Sequence, residues 1–294
     1  MTDDEPAEGL LVSRVGPVLS LTLNRPDRKN ALSAAMVRSL ADAVDEAGQD
    51  DSTRVIVLAA NGADFCSGID LAQSNSSRRD GAPAGAGGPA DPGAPADPGA
   101  RERPTRPRAG HLQRSFIYGA HRMVRSLDAV QLPVVAGVRG WAAGIGNMLA
   151  LSADVVIATP SARFWVPFVT KGFTPDSGNT YLLPRLVGLA RAKEMILRGK
   201  PVPGEQAAEW GLVSRCVAED DLDAAVAEVV AEFAAAATLS VGLAKTLLHR
   251  NLEADLAGAL QNEGIYEELA VRSDDFKEGM RAFMEKRGPA YTGW

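Results

Sequence analysis

Three glycine-containing turns follow apolar runs of strand length and have the composition to bind an anion through backbone N–H groups. They lie at residues 65–70, 144–146 and 171–178. Glycine allows a strand-to-helix turn to present its N–H groups at a helix N-terminus, where a negative charge is stabilised. Two such turns brought together would form an oxyanion hole, a pair of donors for an oxygen that gains charge during a reaction. On spacing alone, glycines that only close a turn are the more frequent explanation.

The elements that must position these turns follow from apolar periodicity. Residues 18–23 and 55–59 predict strands, and the unbroken apolar run of the second is typical of a strand buried on both faces. Between them, residues 31–47 carry apolar side chains at helical spacing, and Ser33 can cap that helix. Further strands are predicted at 133–138 and 155–158. This order of strands and helices indicates an α/β architecture.

The second half of the chain becomes mostly helical. A helix is predicted at 112–127, before the strand at 133–138, and another at 148–151. Later helices are predicted at 191–198, 205–210, 220–237, 241–253 and 262–286. We therefore predict a core over residues 1–200 and a C-terminal helical region over residues 201–294.

A segment of very different composition lies between residues 75 and 110. Residues 81–100 are almost entirely Gly, Pro and Ala, with no large apolar side chain to offset the entropy lost on ordering. We predict a flexible insertion within the core domain rather than a boundary between domains. A lid over the site is the alternative role.

Composition excludes several classes of protein. The 294 residues include 31 Lys and Arg against 37 Asp and Glu, and the net charge of −6 with mixed signs argues against a general nucleic-acid binder. Cys66 and Cys216 lie outside any metal-binding or disulfide spacing. The first nine residues do not resemble a signal peptide, and no run of about 18 apolar residues predicts a membrane helix. We expect a cytoplasmic protein without a metal site.

Beyond spacing, the residues themselves resemble the signatures of the crotonase (enoyl-CoA hydratase/isomerase) superfamily. In chain order, the matching runs are LTLNRPDRKNALS at 21–33, FCSGIDL at 65–71, PVVAGVRGWAAGIG at 133–146 with AD at 153–154, LPRLVG at 183–188, the segment 207–213 and FMEKR at 283–287. Together they span roughly residues 10–294 apart from the insertion. The resemblance implies repeated ββα units wound into a right-handed spiral, followed by a C-terminal helical region that builds trimers.

The resemblance also implies the ligand, an acyl-CoA thioester whose coenzyme A is part of the substrate rather than a tightly bound cofactor. The thioester oxygen would accept hydrogen bonds from the backbone N–H groups of Ser67 and Ile145, each typically worth about 3–4 kcal/mol to the reaction. Arg28 and Lys29 would lie near the phosphates, with Ser67 and Gly68 also beside the cofactor. For Arg28 and Lys29 an ordinary solvated basic turn is the alternative.

The resemblance further implies that subunits share the site. In the family, the last helix of a neighbouring subunit often reaches the cofactor, and Phe283 and Lys286 are the candidates here. A homotrimer or a hexamer is therefore expected.

The chain departs from the hydratases of the family at the two positions that carry their catalytic glutamates. These positions are Met148 and Phe168 here, and neither side chain can transfer a proton. Hydration by a pair of glutamates is therefore not expected. We predict that Met148, Phe168 and Trp165 line an apolar acyl pocket.

One acid remains at a suitable place. Asp176 stands where isomerases of the family place a single carboxylate, and residues 172–186 and 207–213 resemble the ring-opening isomerases of bacterial phenylacetyl-CoA breakdown. One carboxylate suffices to remove a proton from one carbon and return it to another while an oxyanion hole holds the dienolate. We predict an enoyl- or dienoyl-CoA isomerase. The alternative for Asp176 is a cap on the helix that follows it.

Two other functions stay open. Asp176 also matches the nucleophilic aspartate of the aroyl-CoA dehalogenases, with His121 roughly where their assisting histidine lies, although the tryptophans of those enzymes are replaced here by Ala120 and Phe168. A hydrolytic or dehalogenating acyl-CoA enzyme is thus one alternative. An acyl-CoA-binding protein without catalytic activity is the other.

Overall fold

The framework of the protein is a six-stranded sheet, seen in a computed structural model that describes residues 8–70 and 110–294. The predicted insertion therefore lies outside the described residues except at its last position. The sheet has the order β1 (Leu10–Val15), β2 (Val18–Leu23), β3 (Val55–Ala60), β4 (Val134–Val138), β6 (Val155–Ala158) and β9 (Arg215–Cys216). Only the β1–β2 pair is antiparallel. Because β3 and β4 run parallel, the segments that leave them start at the same edge of the sheet.

A small second sheet stands beside the point where these segments leave the main sheet. It contains β5 (Trp141–Ala143), β7 (Arg163–Trp165) and β8 (Val202–Pro203) in the order β5-β7-β8. An isolated bridge between Cys66 and Ala142 joins the segment after β3 to β5. The two sheets together hold the first two of the three glycine turns that the sequence singled out, those at 65–70 and 144–146.

Most helices of the core lie where the sequence predicts them, but the helix predicted at 191–198 already begins at Asn179, and the helix predicted at 112–127 is divided. The core helices are α1 (Ala34–Ala47), α2 (His111–Tyr118), α3 (Ala120–Ala129), α4 (Ile145–Leu151), α5 (Asn179–Arg198) and α6 (Gly204–Glu209). The Ser33 hydroxyl accepts the Met36 amide and caps α1, as predicted. The single helix predicted over 112–127 is instead divided at Gly119, whose ψ of −106° is not helical.

Four further helices follow β9, namely α7 (Leu222–Ala235), α8 (Thr238–Asn251), α9 (Leu256–Ala270) and α10 (Asp274–Glu285). The prediction of one helix over 262–286 is wrong. The chain leaves the helix after Ala270, and the Ser273 hydroxyl accepts the Phe276 amide to cap a new one. The broader prediction, an α/β core followed by C-terminal helices, is confirmed.

Both faces of the main sheet are covered. On one face a large apolar core forms around β2 and α1, including the fully buried Leu21 and Leu40. On the other face Val57 and Val135 pack against Val230 of α7. The unbroken apolar run of β3 follows from this arrangement, because each of its faces meets a packed layer.

An ion pair between a buried lysine and a partly exposed aspartate fastens α8 to the core. Lys245, with 7% of its surface exposed, donates from Nζ to Asp154 Oδ2 at 2.8 Å and to the carbonyl of Leu132 at 3.1 Å. The same carboxylate oxygen accepts the Val134 amide at 2.7 Å. The pair therefore ties a C-terminal helix to the start of β4.

In the part of the chain that the structure describes, no single helix has the length and apolar character to cross a membrane. The helical stretches Glu219–Ala235 and Thr238–Asn251 meet the requirements of length and apolar composition only when taken together, and the pair is bent by 107°.

Candidate functional site

The first two glycine turns, at 65–70 and 144–146, are packed directly against each other. The Cys66 amide donates to the carbonyl of Trp141 at 2.7 Å, and the Ala143 amide donates to the carbonyl of Cys66 at 2.9 Å. A β-carbon on Gly146 would lie 2.5 Å from the Cys66 carbonyl oxygen, and one on Gly68 would lie 3.2 Å from that of Ala143. Only glycine allows this approach, so the residue type and the contact explain each other.

Ile145 presents an open amide in this arrangement. It is the first residue of α4, so its N–H has no acceptor within the helix. Gly144 caps the helix with a φ of 57°, and its own amide donates to the carbonyl of Trp165 at 2.9 Å. Among residues 8–70 and 110–294 no acceptor is found for the Ile145 amide. This geometry agrees with the role predicted for Ile145.

Ser67 does not present an open amide. Its N–H donates to the carbonyl oxygen of Lys29 at 2.9 Å. The hydroxyl of Ser67 lies 3.5 Å from the carbonyl oxygen of Arg28. This geometry corrects the prediction of Ser67 as an oxyanion donor, because an amide already used within the protein is not free for a ligand.

The amide of Ile69, two residues after Ser67, is not used in this way. Ile69 forms a parallel bridge with Leu32 in which the Leu32 amide donates to Gly68 and the Asp70 amide donates to Leu32. In such a bridge the amide of the middle residue, Ile69, faces away from the partner strand. Within the described ranges it has no acceptor either. Sequence analysis missed Ile69, since nothing in the local sequence shows that Ser67 is held by Lys29.

Asp176 lies in a tight turn immediately before α5. It is half-buried, and its Oδ1 accepts the Ser177 hydroxyl at 2.7 Å. The helix begins at Asn179 after Gly178 and has no side-chain cap. The alternative of Asp176 as a capping side chain is therefore wrong, and its carboxylate is not used by the helix.

The turn that carries Asp176 meets the helix that carries Ile145 through apolar side chains. A β-carbon on Gly178 would lie 3.2 Å from Cε of Met148, and one on Gly144 would lie 3.7 Å from the ring of Phe168. Phe168 packs edge-to-face on Phe173 at 5.4 Å. The two positions that lack a glutamate thus flank the site with buried apolar groups.

Trp165 and His121 stand at the edges of this region. Trp165 donates from Nε1 to the carbonyl of Gly199 at 2.6 Å and packs on Trp141 at 5.3 Å, so its backbone rather than its ring reaches the Gly144 turn. His121 is half-buried near the start of α3 and stacks on Phe116 at 5.8 Å. One helical turn later, Val124 contacts the Gly178 position. In the described residues α3 meets the Asp176 turn through Val124, and no contact between His121 and that turn is found.

The basic residues predicted to meet the phosphates lie beside the Ser67 segment. Arg28 and Lys29 have 56% and 58% of their side chains exposed, in a turn just before α1. Buried Asn30 fixes this turn by donating to the carbonyls of Asn61 and Asp64 at 2.9 and 2.7 Å. Two exposed cations are thus held next to the oxyanion segment.

Phe283 and Lys286 are not brought to these turns by contacts within the described chain. They lie at the C-terminal end of α10, where 78% of Phe283 is exposed and Lys286 ends the helix in a left-handed conformation. Any role at the site depends on a second subunit.

Other reactive groups in the described residues give no rival site. Burial raises the pKa of the Cys66 thiol to about 12, so this thiol stays protonated as a packing group under the glycine turns. In the stretches that the structure covers, no three His, Cys, Asp or Glu residues are grouped to hold a metal ion.

Comparison with known proteins agrees with this geometry. The family model described as enoyl-CoA hydratase/isomerase matches residues 14–85 and 108–293. A 1,2-epoxyphenylacetyl-CoA isomerase of Escherichia coli is 36% identical over 94% of this chain and 95% of its own length. A probable enoyl-CoA hydratase of Rhodobacter capsulatus is 35% identical over 98% and 96%.

A solved structure, an enoyl-CoA hydratase/isomerase from Mycobacterium abscessus, superposes with a TM-score of 0.82 at 30% identity and covers 97% of this chain and 100% of that one. The resemblance noted from the sequence motifs is thereby confirmed. On fold, motifs and similarity together, the chain belongs to the enoyl-CoA hydratase/isomerase family, whose ligands are acyl-CoA thioesters.

Proposed function

We propose that this protein is an acyl-CoA isomerase that moves a double bond in an enoyl or dienoyl thioester. The observation that carries the proposal is the combination of one carboxylate, Asp176, with apolar Met148 beside the same turn and apolar Phe168 beside Gly144. Hydration requires groups that activate water and protonate carbon, and these two positions supply neither. Isomerisation requires only one group that can take up and return a proton.

The reaction would begin with proton removal from the α carbon of a β,γ-unsaturated thioester. The Asp176 carboxylate takes the proton, and the electrons of the C–H bond spread into a dienolate with its charge on the thioester oxygen. The amides of Ile69 and Ile145 stabilise that oxygen. The Asp176 acid then returns the proton to the γ carbon, which gives the α,β-unsaturated thioester without any co-reactant.

The basic turn supplies a place for the nucleotide part of the ligand. We propose that Arg28 and Lys29 contact its phosphates, since both side chains are exposed beside the Ser67 segment. Exposed apolar side chains on the last helices favour a homotrimer or hexamer; they include Leu248, Leu256, Leu260, Phe283 and Met284. In such an assembly Phe283 and Lys286 would reach a neighbour's cofactor.

The test is turnover of a panel of enoyl, dienoyl and aroyl thioesters in heavy water, followed by absorbance and mass. We expect deuterium at the α or γ carbon of an isomerised product. Asp176→Asn should lower turnover by roughly 10²–10⁴-fold while thioester binding stays intact. The matched control is Asp220→Asn, which changes an exposed acid before α7 and should leave turnover unchanged.

Other outcomes would overturn the proposal. A hydrated product, or an Asp176→Asn variant that isomerises at the wild-type rate, would exclude it. Oxygen from labelled water appearing in the Asp176 carboxylate would instead support the nucleophilic alternative, for which the favourable observation is that α3, the helix of His121, meets the Gly178 turn through Val124. Tight thioester binding with no turnover across the panel would support a binding protein.

A further inference from the structure

Two buried side-chain amides connect the helix of Ile145 with the turn of Asp176. Asn147, two residues after Ile145 on α4, donates from Nδ2 to Oδ1 of Asn179 at 3.0 Å. Both asparagines have 0% of their surface exposed. Every other residue of α4 is buried too, and none of them has a polar side chain. Asn147 is therefore a polar exception on an apolar helix.

Asn179 extends this connection to the backbone of Asp176. Its Nδ2 donates to the Asp176 carbonyl oxygen at 3.0 Å, and its amide nitrogen lies 3.3 Å from the same oxygen. The side chain of Asn179 thus accepts a hydrogen bond from α4 at Oδ1 and donates one to the Asp176 turn from Nδ2. The path from the Ile145 amide to Asp176 passes through two side chains and one carbonyl group.

The turn held in this way has an unfavourable backbone. Ser177 adopts a φ of 56° and Gly178 a φ of 91°, two successive left-handed residues of which only the glycine accepts that conformation readily. Such a conformation persists where the surroundings impose it, and it is often found at functional sites. In this conformation of the turn the Ser177 hydroxyl donates to the Asp176 carboxylate at 2.7 Å. The contacts of Asn179 are well placed to impose it.

Simple packing does not account for the pair. Two buried amides cost desolvation, and Oδ1 of Asn147 has no hydrogen-bond partner among the described residues. An alanine and a glycine at these positions would leave no buried side-chain polar atom that needs a hydrogen-bond partner. A neutral amide pair does offer a fixed geometry whose charge does not change with pH.

We propose that Asn147 and Asn179 are positioning residues that set the Asp176 carboxylate relative to the Ile145 amide. The inference rests on the proposed function. Proton return to the correct carbon requires the carboxylate to stand at a fixed place along the thioester chain, and shifts of about 1 Å can cost 10²-fold in rate. The pair therefore governs the rate of proton transfer and the carbon that receives the proton, and not the affinity for the thioester.

The test uses Asn147→Ala, Asn179→Gly and the double variant. Each single change should lower kcat roughly 10- to 100-fold with KM within about twofold of wild type. The ratio of deuterium at the α and γ carbons should change as well. The double variant should be no slower than the slower single variant, because both changes break one connection.

Stability separates positioning from a merely structural role. Each single variant leaves a cavity and a buried polar group without its partner, and should melt below the wild type. The double variant leaves the larger cavity but no unpaired amide, so its loss of stability should be smaller than the sum of the two single losses. Its kcat should stay low. A pair that served only stability would show kcat and melting temperature recovering together.

A matched control is available elsewhere in the chain. Asn262 donates from Nδ2 to Oδ1 of Asn251 at 3.0 Å, the same contact between α9 and α8. Asn262→Ala should leave kcat and the deuterium ratio unchanged.

Two results would overturn the inference, and they are distinguishable from failure of the proposed function. If the wild type isomerises thioesters but the single variants keep its kcat and deuterium ratio, the positioning role is excluded and the function stands. The positioning role is likewise excluded, and the function stands, if the double variant regains both its kcat and its melting temperature. If the wild type exchanges no proton with any thioester, the proposed function fails and the positioning role fails with it.

Discussion

The amide nitrogen of Ser67 lies 2.9 Å from the carbonyl oxygen of Lys29. This hydrogen bond makes one unit of two segments, the exposed basic turn at Arg28 and Lys29 and the oxyanion segment at 65–70. It also occupies the Ser67 amide, whereas the next two amides, those of Gly68 and Ile69, have no acceptor among the described residues. A thioester bound here would place its phosphates and its carbonyl oxygen on parts of the protein that are held in fixed relation.

The roles of Ser67 and Ile69 separate when each amide is replaced by an ester through an α-hydroxy acid analogue. At Ile69 we expect turnover to fall about 10²–10³-fold, since one donor to the developing charge is removed. At Ser67 we expect a loss of about 1 kcal/mol in unfolding free energy from the missing bond to Lys29, with a smaller effect on turnover. Steady-state kinetics and thermal unfolding measure the two effects.

The result that contradicts this assignment is the reverse pattern, a large loss of turnover at Ser67 with none at Ile69. The absorbance of a bound cinnamoyl thioester offers an independent check. Its shift on binding reports polarisation of the carbonyl and should shrink for the Ile69 ester alone.

Gly146→Ala should damage the contact between the two glycine turns. Its β-carbon would lie 2.5 Å from the carbonyl oxygen of Cys66 and 2.7 Å from Cys66 Sγ, and neither buried group has room to move. We expect separated turns, a loss of stability of about 1–3 kcal/mol and a turnover too low to measure. Urea unfolding and the isomerisation assay test the expectation.

Gly264→Ala is the matched control for that substitution. Gly264 lies within α9, and a β-carbon there meets no atom within 4 Å. Alanine favours the helix by up to about 1 kcal/mol, so this variant should be neutral or slightly more stable and fully active. Equal losses in both variants would show that the contact with Cys66 is not what makes Gly146 necessary.

Lys245→Met should destabilise the protein by about 1–3 kcal/mol, because it removes the buried cation that donates to the partly exposed carboxylate of Asp154 and to two backbone carbonyls. The free energy of unfolding in urea measures the loss. Arg198→Met breaks an exposed pair with Glu194 and should cost no more than about 0.5 kcal/mol. A Lys245→Met variant as stable as Arg198→Met would show that the pair to Asp154 does not fasten α8 to the core.

The end of α10 should respond to acid through Glu278. Hydrogen bonds from Arg287 at 2.6 and 3.0 Å lower the pKa of Glu278 from 4.5 to about 2. A carboxyl group whose pKa is lowered by folding stabilises the folded state above its unfolded pKa. That stabilisation is therefore present above about pH 4.5 and is lost as the pH falls toward 2.

Glu278→Gln should remove this dependence. The variant should melt below wild type at pH 7, and the difference should narrow between pH 4.5 and 2, as followed by thermal unfolding at each pH. Glu263→Gln, at an exposed position on α9, serves as the control. A constant difference between Glu278→Gln and wild type across this range would contradict the role of the pair with Arg287.

The sequence by itself determined the chemistry that is available. The glycines at 68, 144 and 146, the acid at 176 and the absence of glutamate at 148 and 168 are facts of residue type, and they predicted an anion site with one proton carrier. Local signals also predicted the four central strands β2, β3, β4 and β6 and the Ser33 cap, since apolar periodicity and caps act over a few residues. The edge strand β1 and the short strands β5, β7, β8 and β9 were not predicted. The break at Gly119 and the new helix at Ser273 were not predicted, because helical spacing continues across both.

Only the tertiary structure decided which hydrogen-bonding and charged groups are open to a ligand and which already have a partner within the protein. Ser67 is occupied by Lys29, Asn147 reaches Asn179 across 32 residues, and Lys245 reaches Asp154 across 91. Each of these contacts joins segments that meet only when the sheets and helices pack. Hydrogen-bond partners that lie far apart in the chain leave no local pattern. The open amide at Ile69 was therefore identified only from the fold, in which the Ser67 amide is already hydrogen-bonded to Lys29.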